Sequence, residues 1–174
     1  IFDFKNISGN SLFYSRRIGG QPHRSDVAGA TFVNAAEETS ILGAAKLTGR
    51  TNRGLSLGVL AAVTGREEAE AYFAGGDSMA TFLAEPRSGY GVVRALQELR
   101  GGRTVVGGIA TLMRRDLPRD GSFDFLPSAA MTAGVNFEHT WDDRGWALWG
   151  FLAGSHVRGS EEALASRAAG VSFT

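Results

Sequence analysis

The chain contains no cysteine, so neither a disulfide framework nor a thiolate metal site can form. It has no run of about eighteen apolar residues, which excludes a transmembrane helix. Lys+Arg and Asp+Glu both number 18, leaving no net basic excess and no electrostatic case for nucleic acid as a partner. The three histidines, His23, His139 and His156, lack metal-ligand spacing. No Gly-x-Ser-x-Gly elbow, Walker loop or zinc signature occurs. Glu37-Glu38 and Glu67-Glu68 are adjacent pairs whose side chains point apart in extended chain, the wrong geometry for a glycosidase. No catalytic residue, metal ligand or cofactor is therefore expected, and the chain does not read as an enzyme.

What is abundant is glycine, at 24 of 174 residues. In helices each would cost about 1 kcal/mol relative to Ala, whereas strands use glycine for turns, bends and close backbone approach. Four short polar turns centre on Ser8-Gly9-Asn10, Arg50-Thr51-Asn52, Gly101-Gly102 and Asp142-Asp143-Arg144. Longer connections, roughly residues 18–39, 65–88 and 116–128, fall at the opposite end and read as irregular loops. Long alternating strands with short turns at one end and long loops at the other are the pattern of an outer-membrane β-barrel. The expected fold is all-β: an antiparallel meander of about seven or eight long strands, forming a partial or small barrel. One short helix is expected near residues 160–168, capped by Ser160 with Glu161 and Glu162 at its positive end. Residues 1–174 read as a single barrel segment, and the start Ile1-Phe2-Asp3-Phe4-Lys5 reads as mid-domain sequence from a longer barrel domain.

The faces can be tested by pairing. From Met131 to Trp141, Met131, Ala133, Val135, Phe137 and Trp141 share a greasy face, while Thr132, Asn136, Glu138 and Thr140 share the other. A tight turn at Asp143-Arg144 puts Trp141 opposite Trp146, and that face continues through Leu148, Gly150 and Leu152. Two tryptophans at a strand end suit an interfacial aromatic girdle, and equally a Trp pair on a soluble core. Reflection about Thr51 pairs Leu47 with Leu55, Ala45 with Leu57 and Lys46 with Ser56, and both strands agree on the apolar side. Residues 89–99 and 103–115 form a third pair, but Thr104 to Met113 is apolar on both faces, consistent with burial on two sides. A hairpin of Ile1–Asn6 with Ser11–Arg17 completes the set.

Lysine facing hydrocarbon near mid-membrane costs about 2–4 kcal/mol, so Lys46 belongs in the lumen. Ser56, Arg94, Asn136 and Glu138 join it as lumen-lining candidates, with Lys46–Glu138 a conceivable charge pair. Arg16 and Arg17 cannot both point inward along a strand. His139, on the apolar face beside Trp141, reads as an interfacial residue.

Several stretches carry more than a pattern. Phe13-Tyr14-Ser15-Arg16-Arg17-Ile18-Gly19 is one, and Ile41-Leu42-Gly43-Ala44-Ala45-Lys46-Leu47-Thr48-Gly49-Arg50-Thr51 is the most specific. Gly54-Leu55-Ser56-Leu57-Gly58-Val59-Leu60, Ala62-Val63-Thr64, Glu85-Pro86, Val106-Gly107-Gly108-Ile109-Ala110-Thr111 and Arg114-Arg115-Asp116-Leu117 follow. Over most of residues 11–167 the chain resembles the C-terminal barrel-like domain, of unassigned function, of bacterial proteins that carry an N-terminal family-9-like carbohydrate-binding module. The resemblance implies the outer membrane of a Gram-negative bacterium, outer-membrane lipid as partner, and a glycan as partner only through the missing N-terminal domain. No sugar-binding or catalytic residue carries over.

The expected function is an outer-membrane β-barrel segment serving as channel, plugged conduit or membrane scaffold for an upstream carbohydrate-binding module. The alternative is a soluble all-β binding module, propeller or sandwich-like, since turn spacing of about 40–50 residues also matches blade periods. A barrel-embedded enzyme would need a nucleophile or carboxylate pair near a histidine on one rim, and spacing reveals none.

Overall fold

The computed structural model describes Phe2, residues 18–75, 78–141 and 145–159, and the backbone of 166–173. The expected hairpin over residues 1–17 (Phe2 apart), with Arg16 and Arg17, the turn Asp142-Asp143-Arg144, and residues 160–165 of the expected helix, with Ser160, Glu161 and Glu162, lie outside the described residues.

The described chain is all-β and antiparallel. Its strands are β1 (Phe32–Asn34), β2 (Ile41–Arg50), β3 (Leu55–Thr64), β4 (Glu67–Phe73), β5 (Ser78–Glu85), β6 (Ser88–Leu99), β7 (Thr104–Arg115), β8 (Ala129–Trp141), β9 (Trp146–Arg158) and β10 (Ser166–Phe173). Seven of them form one sheet in the order β10-β9-β8-β7-β6-β3-β2, and β1-β4-β5 form a second. The large sheet is an open meander among the described residues, with β2 and β10 as its edges. It is not divided into the short four-stranded blades of a propeller.

Local chemistry sets the turns. Between β2 and β3, Thr51 N–H donates to Leu55 O and Gly54 N–H to Thr51 O, at 2.8 and 3.1 Å. Gly54 takes φ +80°, and a Cβ there would meet Glu98 O at 2.8 Å, so only glycine fits. The turn therefore centres two residues later than expected. Leu47 pairs with Val59, Ala45 with Ala61 and Lys46 with Leu60, not with Leu55, Leu57 and Ser56. A shift by an even number of residues keeps every side chain on its expected face. Between β6 and β7, Arg100, Gly101 and Gly102 all have positive φ (53°, 68° and 85°). The Gly-Gly pair takes the left-handed geometry expected of it, and Arg100 joins it.

Two expectations fail. Residues 65–88 are not an irregular loop: β4 and β5 pair along their length, and β1 adds through Phe32, Val33 and Asn34. Residues 166–168 are not helical either, because β10 pairs with β9 from Ser166↔Ser155 to Phe173↔Leu148. An isolated helix of under about twelve residues is marginal, whereas an edge strand gains a full ladder of backbone hydrogen bonds.

The long connections interlock at one end of the large sheet. Arg24 N–H donates to Ala84 O, Thr31 N–H to Tyr72 O and Asp116 N–H to Arg87 O. The Arg24 guanidinium lies over the rings of Phe82 and Phe123, at 5.3 and 5.5 Å. Phe123, Leu126, Ala69, Ala71 and Ala84 are buried there, and a folded cap results.

Candidate functional site

The large sheet sorts its side chains by face. On one face the register aligns Leu57–Ala95–Gly108–Val135–Leu152 across five strands, with Val59–Val93–Ala110–Ala133 in the next row. This face is open: Leu47 is 70% exposed, Val135 56% and Leu152 57%. β7, expected to be buried on two sides, exposes Val106 and Leu112 here and buries Gly107 and Ile109 on the other.

Polar residues bound the apolar band. Trp141 stands opposite Trp146 at the short-turn end, as the alternation requires. His139 stacks on Trp141 at 5.7 Å and lies 2.8 Å from Thr104 Oγ1 through Nδ1. At the cap end, Arg114 pairs with Ala129, Ala129 with Arg158, and Met131 with His156. β8 is 13 residues long. At about 3.3 Å per residue it runs about 40 Å, and a tilt of about 45° brings its height near the roughly 25 Å apolar band of a membrane barrel.

The opposite, concave face holds the lumen candidates. Arg94 on β6 is 2% exposed and pairs with Gly58 and Ile109. Gly107 makes room beside it: a Cβ there would meet Leu96 Cδ2 at 2.6 Å, Asn136 Oδ1 at 2.8 Å and Arg94 Nη1 at 3.0 Å. Arg94, Leu96 and Asn136 thus converge over a backbone without a side chain, and Asn136 Oδ1 is buried with no donor among the described residues. Glu138 lies one rung along, between Val105 and Trp149, and both Arg94 and Glu138 are engaged in further interactions. Ser56 sits between Arg50 and Leu96, near the short-turn end.

Lys46 shares this face, but on edge strand β2, separated from Glu138 by β3, β6 and β7. Its ammonium sits 5.5 Å from the Phe2 ring, a cation–π contact and not the expected pairing with Glu138. Phe2, Leu60 and Phe151 pack against buried Val92, Ile109 and Ala153. The concave face is thus a mixed interior, apolar at its centre and polar around Arg94.

The family model described as "Domain of unknown function (DUF5916)" matches residues 7–173. The chain belongs to this family. DUF5916 carries no assigned activity in its description, and no curated protein or solved structure matches the chain.

Sequence reasoning missed the ionic contacts of the ends. Arg50 Nη2 and Glu98 Oε2 form a 2.7 Å bridge at the short-turn end. In the cap, His23 N–H donates to Glu85 Oε2 at 2.9 Å and His23 Nδ1 lies 2.6 Å from the same oxygen. Glu67, assigned to a loop, lies in β4 and accepts from Ser40 N–H at 2.7 Å. No periodicity links His23 to a carboxylate 62 residues away.

Proposed function

We propose that this chain is an outer-membrane β-barrel segment of a Gram-negative bacterium, acting as a filled conduit or scaffold for an upstream carbohydrate-binding module. Its role is passive and it performs no catalysis. Its partners are membrane lipid and, through that module, glycan; nucleic acid is not among them.

The observation that carries the reading is the inverted sheet. Leu47, Leu57, Val135 and Leu152 stand open on one face while Arg94 is buried on the other. In water such a face would demand a covering layer, and no described residue provides one. Acyl chains solvate it without cost, and shallow grooves among Val93, Ala95, Gly108, Ala110, Val135 and Leu152 would receive them. Trp141 and Trp146 fit one interface, Arg114 and Arg158 the other. A filled interior is favoured over an open channel because Phe2, Leu60 and Phe151 pack across the centre of the concave face.

Tryptophan quenching by brominated lipids tests this directly. Trp141 and Trp146 should be quenched strongly, and Trp149, on the concave face opposite Glu138, weakly. The double variant Trp141→Phe/Trp146→Phe should lose most of the quenching. A chain that stays in buffer without detergent and ignores the brominated lipid refutes the membrane reading. Stepwise conductance in a planar bilayer would replace the filled interior with a channel.

A further inference from the structure

The cap and the large sheet line a half-open cavity of about 370 Å³. That is at the small end of the roughly 300–1,000 Å³ usual for ligand sites. Its walls include His23, Thr39, Thr64, Glu85, Tyr90 and Arg115, with the Gly19-Gly20 backbone. Two segments singled out in the sequence, Glu85-Pro86 and Arg114-Arg115, meet there. We propose that this cavity binds a small neutral polyhydroxylated ligand, a single monosaccharide unit held by adjacent hydroxyls between Glu85 and Arg115.

The lining decides the chemistry. Glu85 is 4% exposed, and both bonds from His23 fall on its Oε2, which leaves Oε1 to accept from elsewhere. Arg115 Nη1 donates to Pro127 O at 3.1 Å, but its Nε is buried with no acceptor among the described residues. The cavity wall thus carries a carboxylate with a spare acceptor and a guanidinium whose N–H donors are only partly used. Leaving such a donor buried without an acceptor is unfavourable. An anionic ligand would satisfy Arg115 and be opposed by Glu85; an ammonium would meet the reverse. Hydroxyl groups both donate and accept, so two neighbouring ones can serve both side chains. Tyr90 adds a neutral hydroxyl, while Thr39 and Thr64 donate theirs to Gly20 O and Ser88 O and keep lone pairs to accept from a ligand. His23 braces the carboxylate, and Thr39 Oγ1–H donates to Gly20 O at 2.8 Å, fixing the wall.

The proposal is independent of the membrane reading, because the cavity is built by contacts between the cap and the sheet ends. Either can fail alone. The test is titration calorimetry of the full chain in detergent micelles with D-glucose, D-galactose, D-glucuronate, L-serine and inorganic phosphate. A neutral hexose should bind in the millimolar range, and Arg115→Gln or Glu85→Gln should weaken it at least tenfold. Tyr90→Phe, which removes only a hydroxyl, gives a milder loss in a folded protein, and Lys46→Gln gives none. Near-ultraviolet circular dichroism reports folding of each variant. Binding of glucuronate, phosphate or serine alone would overturn the ligand class. Absence of binding by intact protein, or hexose binding untouched by all three cavity variants, would overturn the site.

Discussion

The two sheets follow one alternation rule and resolve it in opposite ways. In the cap, β4 buries Ala69 and Ala71 and exposes Glu68 and Glu70, the arrangement water enforces. In the large sheet, β8 exposes Met131, Val135 and Phe137 and turns Asn136 inward. Phe123, Leu126 and alanines sit inside the cap, whereas large apolar residues stand outside the large sheet. Period-two alternation fixes which residues share a face; it does not say which face meets water. That depends on the surrounding solvent.

The comparison can be broken by charge. Val135→Arg should cost about 2–4 kcal/mol in a bilayer, read as a lower urea midpoint for folding into vesicles. Glu70→Arg in the cap, also at an exposed position, should shift stability by no more than about 0.5 kcal/mol. Equal effects would mean that the two exposed faces see the same medium. Gly107→Val tests the interior instead: crowding Leu96, Asn136 and Arg94 should cost about 1–3 kcal/mol by the same assay. A neutral result would mean that the concave face is loosely filled. His23→Ala should cost about 1 kcal/mol and act locally, raising amide exchange in the cap while leaving exchange in β7 and β8 unchanged.

The smallest effect concerns Asp120, an exposed cap carboxylate that accepts from Ser122 Oγ–H at 2.6 Å and Ser122 N–H at 2.9 Å. The hydroxyl bond first, then the backbone bond, hold its pKa below the usual aspartate value. A folded pKa below the unfolded one stabilises above the unfolded value, and the contribution is lost as pH falls through the folded value. Carboxyl NMR should give a lower midpoint for Asp120 in the native chain than in Ser122→Ala.

What the sequence revealed follows from this division. Side-chain parity was legible, as were the Trp141–Trp146 rung and the β6–β7 hairpin, because each rests on neighbours in the chain. Register between β2 and β3 was not, since Thr51 and Asn52 look like the turn's centre while Gly54 supplies its positive φ. β4 was hidden by Glu and Ala, residues depleted in strands, and β10 by Ser-Glu-Glu preceding it, which resembles a helix start. Lys46, Ser56, Arg94, Asn136 and Glu138 fall on one face by register, but how they group there was not visible in the sequence. Arg94 and Asn136 meet over Gly107, Lys46 stands apart with Phe2, and the walls of the cap cavity come from segments dozens of residues apart.

One rung has a wider consequence. Thr64, the last residue of β3, pairs with Ser88, the first of β6. The chain leaves the meander and returns at the same level, so everything between is an excursion that the ladder never registers. Lengthening, shortening or exchanging that excursion would not slide β3 against β6. A single scaffold could thereby carry different headpieces without altering how its long strands pair.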